Sequence, residues 1–193
     1  MAPSTIPPEA FTRAVARLRG GQYRPEITLE EVPAPQRLAP FGYATSGTVL
    51  RGDDEVATGR LILLYDPAGH EAWKGTMRLV TYVTAELEPE LATDSLLPGV
   101  GWSWLVDALE ANGATYTAIG GTVTQTLSTR FGSLAGPPNT ADVEIRASWT
   151  PLDEDLGAHL EGWCGLLALT AGLPPPGVTA LPEQRPSMPA ARA

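Results

Sequence analysis

The sequence of residues 142–149 is Asp-Val-Glu-Ile-Arg-Ala-Ser-Trp, in which polar and apolar side chains alternate without interruption. Successive side chains of a β-strand point to opposite faces of a sheet. In residues 142–149 the apolar side chains therefore face one side of the sheet and the polar side chains face the other. Such alternation is typical of an antiparallel sheet that has one face in the core and one face in water. We therefore predict an antiparallel sheet with helices on its apolar face.

Other strands are predicted on both sides of this segment. Residues 41–51, 56–66 and 74–87 form a meander, joined by a turn at residues 52–54 and by a longer loop at residues 66–70. Ile27 and Leu29 indicate a short strand before a proline-rich crossing loop, residues 33–40.

Residues 116–127 form a threonine-rich strand, and Gly120-Gly121 within it favours a bulge or a bend. Strict alternation places Ile119, Val123 and Leu127 on one face of this strand. The other face then carries Tyr116, Thr122, Thr124 and Thr126.

Three helices complete the prediction. The first covers residues 8–19 and ends at Gly20-Gly21, and the second begins at Pro98-Gly99 and ends at Asn112-Gly113. The third is expected to be capped by residues 150–153 and to end near Gly172. The element order predicts one α+β domain over residues 1–173, with an antiparallel sheet of about five to six strands and three helices.

Residues 174–193 contain six prolines and little apolar surface, so we expect a disordered or extended tail. Deleting residues 178–193 should shift the melting temperature by no more than about 2 °C.

Composition excludes several classes of protein. The chain has 193 residues, 43% of them hydrophobic, and a net charge of −9, which disfavours direct binding of nucleic acid. It has no apolar run of membrane-spanning length and no signal peptide, so we expect a cytoplasmic location without membrane contact. Cys164 is the single cysteine and forms no internal disulfide. No motif for a metal ion or another cofactor is present, and none is expected.

Four stretches carry a family resemblance: residues 33–40 (PAPQRLAP), 58–73 (TGRLILLYDPAGHEAW), 99–105 (GVGWSWL) and 145–151 (IRASWTP). On these motifs the chain resembles the actinomycete domain-of-unknown-function 3000 family over nearly its whole length before the tail. The resemblance implies a lineage and no established activity. The element order alone is similar to the YbjN-like domains and the type III secretion chaperones, which implies a small acidic polypeptide-binding protein, often dimeric.

Candidate partner-binding residues lie on the second helix and on the polar face of the sheet. Trp104 is rotated by about 200° from Trp102, which lies on the apolar stripe, so Trp104 is either an exposed anchor or packs under residues 86–98. The polar sheet face offers Arg78, Tyr82, Tyr116 and Arg146, and it is either solvated or covered by a partner.

Two histidines could support chemistry. His70 and Glu71 in the 66–73 loop could act as an acid/base pair, with Arg60 or Arg78 as an anion clamp, or could only hold the loop. His159 lies four residues after Asp155 and is interpreted as a boundary histidine capped by that carboxylate. Cys164 falls on a buried stripe, so a Cys/His nucleophilic pair is disfavoured.

The leading hypothesis is a non-enzymatic, chaperone-like adaptor that holds a protein partner with its sheet face and Trp104, and that could form a homodimer. The alternative is an enzyme or small-ligand sensor with its site at the 66–73 loop. The sequence identifies neither the partner nor a ligand.

Overall fold

The computed structural model describes residues 6–88, 90–136, 139–153 and 155–175. Within them the chain forms an α+β fold of three α-helices and six β-strands, as predicted. The helices are α1 (Glu9–Gly20), α2 (Leu97–Ala111) and α3 (Gly157–Thr170), and the strands are β1 (Ile27–Val32), β2 (Phe41–Arg51), β3 (Asp54–His70), β4 (Gly75–Leu87), β5 (Tyr116–Ser128) and β6 (Thr140–Pro151). The predicted tail falls mostly on residues 176–193, which lie outside the described residues.

The six strands form one sheet in the order β1-β2-β3-β4-β6-β5, and every neighbouring pair is antiparallel. The alternation predicted in β6 is confirmed. Val143, Ile145 and Trp149 are completely buried on one face, whereas Arg146 is exposed on the other.

All three helices cover the apolar face of the sheet. Helix α3 lies centrally, above Gly47 of β2 and its register partner Gly59 of β3. A β-carbon on either glycine would lie within 3 Å of the Leu167 side chain, so these glycines give α3 room to approach the sheet. The Trp163 indole of α3 donates a hydrogen bond to Thr81 Oγ1 of β4 over 2.7 Å, in the buried layer between helix and sheet.

Helices α1 and α2 pack on either side of α3. Phe11 of α1 packs where β2 begins beside β3, and its ring lies 5.8 Å from Phe41 and 5.9 Å from Tyr65. On the other side, a β-carbon on Gly162 of α3 would lie 3.0 Å from Leu109 Cα. The two helices α2 and α3 therefore contact each other nearly backbone to backbone.

The start of α3 differs from the prediction. Residues 150 and 151 belong to β6, and α3 begins only at Gly157. The Leu152 amide donates to the Thr115 carbonyl, which continues the pairing of β6 with the chain before β5. Strand pairing therefore takes up the residues that the capping pattern had assigned to the start of α3. The predicted loop at residues 66–70 is likewise part of β3, which pairs with β4 on both sides of a register break between Tyr65 and His70.

The bulge predicted in β5 is confirmed, and it reverses the face of the residues before it. The register shifts by one residue between Thr117 and Gly120, and Ala118 has a φ of 52°. Tyr116 pairs with Pro151 and packs against the core, whereas Thr122 pairs with Arg146 on the other face. The prediction that Tyr116 shares a face with Thr122 was wrong because strict alternation does not survive an inserted residue.

We call the sheet surface opposite the helices the open face. Near one corner, a β-carbon on Gly42 would lie 3.3 Å from Ala34 Cβ, so the proline-rich loop passes over β2 there. No helix within the described ranges is both long enough and apolar enough to cross a membrane.

Candidate functional site

A row of three side chains crosses the middle of the open face. The strand register aligns Arg60 of β3 with Tyr82 of β4, and Tyr82 with Arg146 of β6. Adjacent strands are about 4.8 Å apart, so the two arginines flank Tyr82 with their Cα atoms about 10 Å from each other. We call these three residues the Arg-Tyr-Arg row. Sequence reasoning assigned Arg60 to another site, and the register brings it here.

The row lies in a shallow groove of about 460 Å³. Ile62 and Val80 contribute half-buried apolar side chains to this groove, and Gly120 lowers its wall on the β5 side. Sequence reasoning missed Ile62 and Val80. Ile62 lies in the apolar run of residues 61–65, and Val80 is next to the core residue Leu79, so only the register reveals that both face outward.

The Arg-Tyr-Arg row is partly preorganised. The Arg146 guanidinium lies 5.5 Å from the centre of the Tyr82 ring, and its Nε forms an ion pair with Glu144 Oε1 at 2.6 Å. Burial and the neighbouring Glu144 carboxylate raise the pKa of Tyr82, so its phenol is protonated at neutral pH and can donate a hydrogen bond. Arg60 is exposed and forms no ion pair within the described part of the chain.

Arg78 also lies on the open face, but its guanidinium binds within the chain. It donates to the Ala118 carbonyl over 2.9 Å and to the hydroxyls of Thr150 and Ser148 over 3.0 and 2.8 Å. Burial lowers the pKa of this guanidinium, which nevertheless stays charged as arginine does in proteins. Arg78 therefore holds the β5 bulge in place while adding positive charge beside the row.

The other predicted partner-binding residues lie on the helix side of the sheet. Trp104 is half-buried against the core, together with Trp102. Because α2 packs against both β5 and α3, its buried arc is wide enough to include both tryptophans. Tyr116 also packs against the core, and the charge of Glu110 on α2 contributes to raising its pKa after burial does. Neither Trp104 nor Tyr116 joins Tyr82 in one surface.

The residues of the alternative site do not converge. His70 pairs with Gly75 and Arg60 pairs with Tyr82, seven positions apart along β4, which corresponds to about 23 Å. The His70 ring stacks on Trp73 at 4.9 Å, and Glu71 is exposed at the start of a short 3-10 turn. Within the described ranges, no three His, Cys, Asp or Glu side chains are placed to hold a metal ion.

His159 and Cys164 are core residues. His159 is completely buried, and its Nδ1 accepts a hydrogen bond from the Trp149 indole over 3.0 Å, so it is not the boundary histidine that the sequence suggested. Burial lowers the pKa of His159 to about 4 and raises that of Cys164 to about 12. At neutral pH the imidazole is uncharged and the thiol is protonated, which makes that thiol a poor nucleophile.

A second groove, of about 640 Å³, lies on the helix side between α2 and α3. It is lined mainly by small or apolar groups, and Pro174 and Pro175 form one end of it. The Pro174 carbonyl accepts a hydrogen bond from Arg24 over 2.6 Å. The exposed Tyr23 ring and Arg24 line this groove, but Arg24 is paired with Glu26, whereas Arg60 on the open face has no ion-pair partner among the described residues.

Comparison with known proteins gives a lineage without an activity. No curated protein and no solved structure matches the chain. A family model described as "Protein of unknown function (DUF3000)" matches residues 7–179, which is most of the chain, and the protein therefore belongs to this family.

Proposed function

We propose that this protein is a non-enzymatic adaptor in the cytoplasm that binds an acidic segment of another protein on its open face. The observation that carries this proposal is the Arg-Tyr-Arg row: two arginines that flank an exposed tyrosine on a sheet surface left uncovered by the helices. Tyrosine and arginine are the residue types that most often dominate the energy of protein–protein contacts.

The groove supplies both the apolar surface and the charged side chains that such a contact needs. Ile62 and Val80 offer apolar surface at its floor, and Tyr82 is 39% exposed above them. A partner side chain that covers this floor buries apolar area and excludes water from the neighbouring charges. The strength of the arginine contacts then rises because the local dielectric falls.

The positive charge of the arginines near the groove favours an acidic segment as the partner. Arg60 has no carboxylate partner among the described residues, and Arg78 donates only to neutral oxygens. Of the three arginines near the groove, Arg146 alone has an ion-pair partner among the residues that the structure describes, and that partner is Glu144. A partner carboxylate at Arg60 gains a charge-assisted hydrogen bond without breaking an existing one.

A chaperone-like role is compatible with this surface because an open antiparallel sheet can hold an extended polypeptide without performing chemistry on it. The 66–73 loop offers no comparable arrangement, since His70 stacks on Trp73 and lies far from Arg60.

The proposal is tested by quantitative affinity capture from native extract with matched tyrosine variants. Tyr82 is 39% exposed on the open face and Tyr23 is 45% exposed on the helix side, so Tyr82→Ala and Tyr23→Ala remove similar surface from opposite sides. We expect Tyr82→Ala and Arg60→Glu to reduce retention of the bound proteins by about tenfold or more. Tyr23→Ala should retain them as the wild type does.

A synthetic acidic peptide from each captured protein should bind the wild type and not Arg60→Glu. The proposal is wrong if the wild type retains no protein specifically. It is equally wrong if Tyr82→Ala retains the same proteins at wild-type levels, or if only Tyr23→Ala loses them.

A further inference from the structure

The two outer strands of the sheet are built very differently. β1 has six residues, carries Glu30 and Glu31, and is followed by Pro33. Short length, charge and proline are the features by which proteins prevent an outer strand from pairing with another chain. This edge is therefore protected.

β5 has none of these three features, and its bulge is confined to one end of the strand, between Thr117 and Gly120. It has 13 residues, none of them charged and none of them proline. From Gly120 onward most of its side chains are exposed. Within the described residues it pairs with β6 alone, so the backbone N–H and C=O groups on its outer edge have no strand partner there.

Exposed apolar residues lie on two segments that adjoin β5, and we call these residues together the apolar rim. On the helix side it includes residues that precede or begin α2, and Gln125 of β5 donates to the Leu91 and Asp94 carbonyls there. The other members end β5 or follow it. The members and their exposed fractions are Leu91 44%, Leu96 70%, Val100 44%, Leu127 45%, Phe131 78% and Leu134 70%. Exposed apolar surface concentrated in this way marks an interaction site.

We propose that the occupant of this edge is a second copy of the same chain, paired antiparallel along β5 to form a two-fold dimer with one continuous sheet. An uncharged strand meets no like-charge repulsion from its own copy. It also has no charged side chain that would attract an oppositely charged strand of a different protein. A two-fold axis near Thr122 places the two Thr122 side chains opposite each other, and threonine pairs across neighbouring strands are favourable. This inference is independent of the proposed binding role of the open face.

The size of the interface is consistent with a dimer only if the apolar rim takes part. Thirteen residues extend for about 43 Å, and a strip about 10 Å high gives roughly 430 Å² per copy. Stable interfaces bury about 800 Å² per partner. A two-fold axis near Thr122 places the apolar rim of each copy beside the first residues of the partner's β5, which supplies the additional area.

Sedimentation equilibrium over about a hundredfold range of concentration tests the dimer, because its population follows mass action. We expect a species of twice 20.4 kDa that dissociates on dilution. The double variant Thr124→Lys with Thr126→Lys places lysines next to Glu144 and Asp142 of the same chain, and lysines on an outer strand disfavour its pairing with another strand. This variant should remain monomeric while keeping the wild-type circular dichroism spectrum. Thr28→Lys on β1 is the matched control and should leave the dimer intact.

A second pair of measurements covers the case in which the lysine variant does not fold. Phe131→Ser with Leu134→Ser changes only strongly exposed side chains and should weaken dimerisation at least about tenfold. In hydrogen exchange, the protection of β5 amides should rise with protein concentration. The protection of β1 amides should not change with concentration. A wild type that stays monomeric throughout the range overturns the proposal. So does a dimer that survives both double variants, or one that Thr28→Lys dissociates.

Discussion

His159 occupies a position where a titratable ring is completely enclosed. Its Nδ1 accepts the Trp149 indole hydrogen, so the neutral ring carries its own proton on Nε2, which has no hydrogen-bond partner within the described residues. Burial lowers the pKa to about 4, and the Asp153 and Asp155 carboxylates only partly oppose this effect. The folded protein therefore resists protonation of this residue.

This residue should make the protein sensitive to acid. The pKa of His159 is about 6.5 in the unfolded chain and about 4 in the folded one. Above pH 6.5 both states are neutral. As the pH falls towards 4, only the unfolded state binds the proton, so the stability falls. A difference of this size corresponds to about 3 kcal/mol, lost between neutral pH and pH 4.

The measurement is chemical denaturation of the wild type and His159→Gln at several pH values. Glutamine keeps an oxygen that can accept the Trp149 hydrogen but does not titrate. As the pH falls from 6.5 towards 4, the unfolding free energy of the wild type should fall more steeply than that of the variant. Parallel pH profiles would show that His159 does not resist protonation.

At the scale of elements, the contact between α2 and α3 depends on a missing side chain. A β-carbon on Gly162 would lie 3.0 Å from Leu109 Cα and 3.1 Å from the Ala108 carbonyl oxygen. Both are backbone atoms, which cannot rotate away. The helices must separate to admit even a methyl group.

We expect Gly162→Ala to lower the free energy of unfolding by about 1–2 kcal/mol, since overpacking outweighs the better helix propensity of alanine. Gly99 of α2 is the matched control because a β-carbon there meets nothing within 4 Å. Gly99→Ala should therefore raise stability by up to about 1 kcal/mol. Thermal unfolding measures both signs, and a stabilised Gly162→Ala would contradict the close helix contact.

Local patterns predicted most elements because each carries its own signal. Alternation in β6 identified a half-buried strand, and glycines and prolines marked the limits of α1 and α2. The start of α3 was not predictable from residues 150–153 alone, since Thr115, which lies 37 residues earlier in the chain, accepts a hydrogen bond from the Leu152 amide. Tyr116 was misplaced for a similar reason, because a bulge whose position is set by pairing reverses the alternation.

At the scale of the whole molecule, the candidate site depends on register, which no single strand specifies. Arg60, Tyr82 and Arg146 come from three strands, and only pairing aligns them. The sequence predicted Tyr82 and Arg146 on one polar face, but it could not show that Arg60 belongs beside them. It also could not decide whether Trp104 is an exposed anchor or packs against the core, as it does here.

The difference between the two outer strands determines how far association can proceed. When two chains join through β5, each uses the one pairing-competent edge that the described part of its sheet offers, and the assembly presents two β1 strands with their glutamates and Pro33 to solvent. A chain with two receptive edges would add copies without limit and grow into fibres. Here growth ends at two, so concentrated solutions should stay clear, and their scattering should rise only to the level of a closed pair.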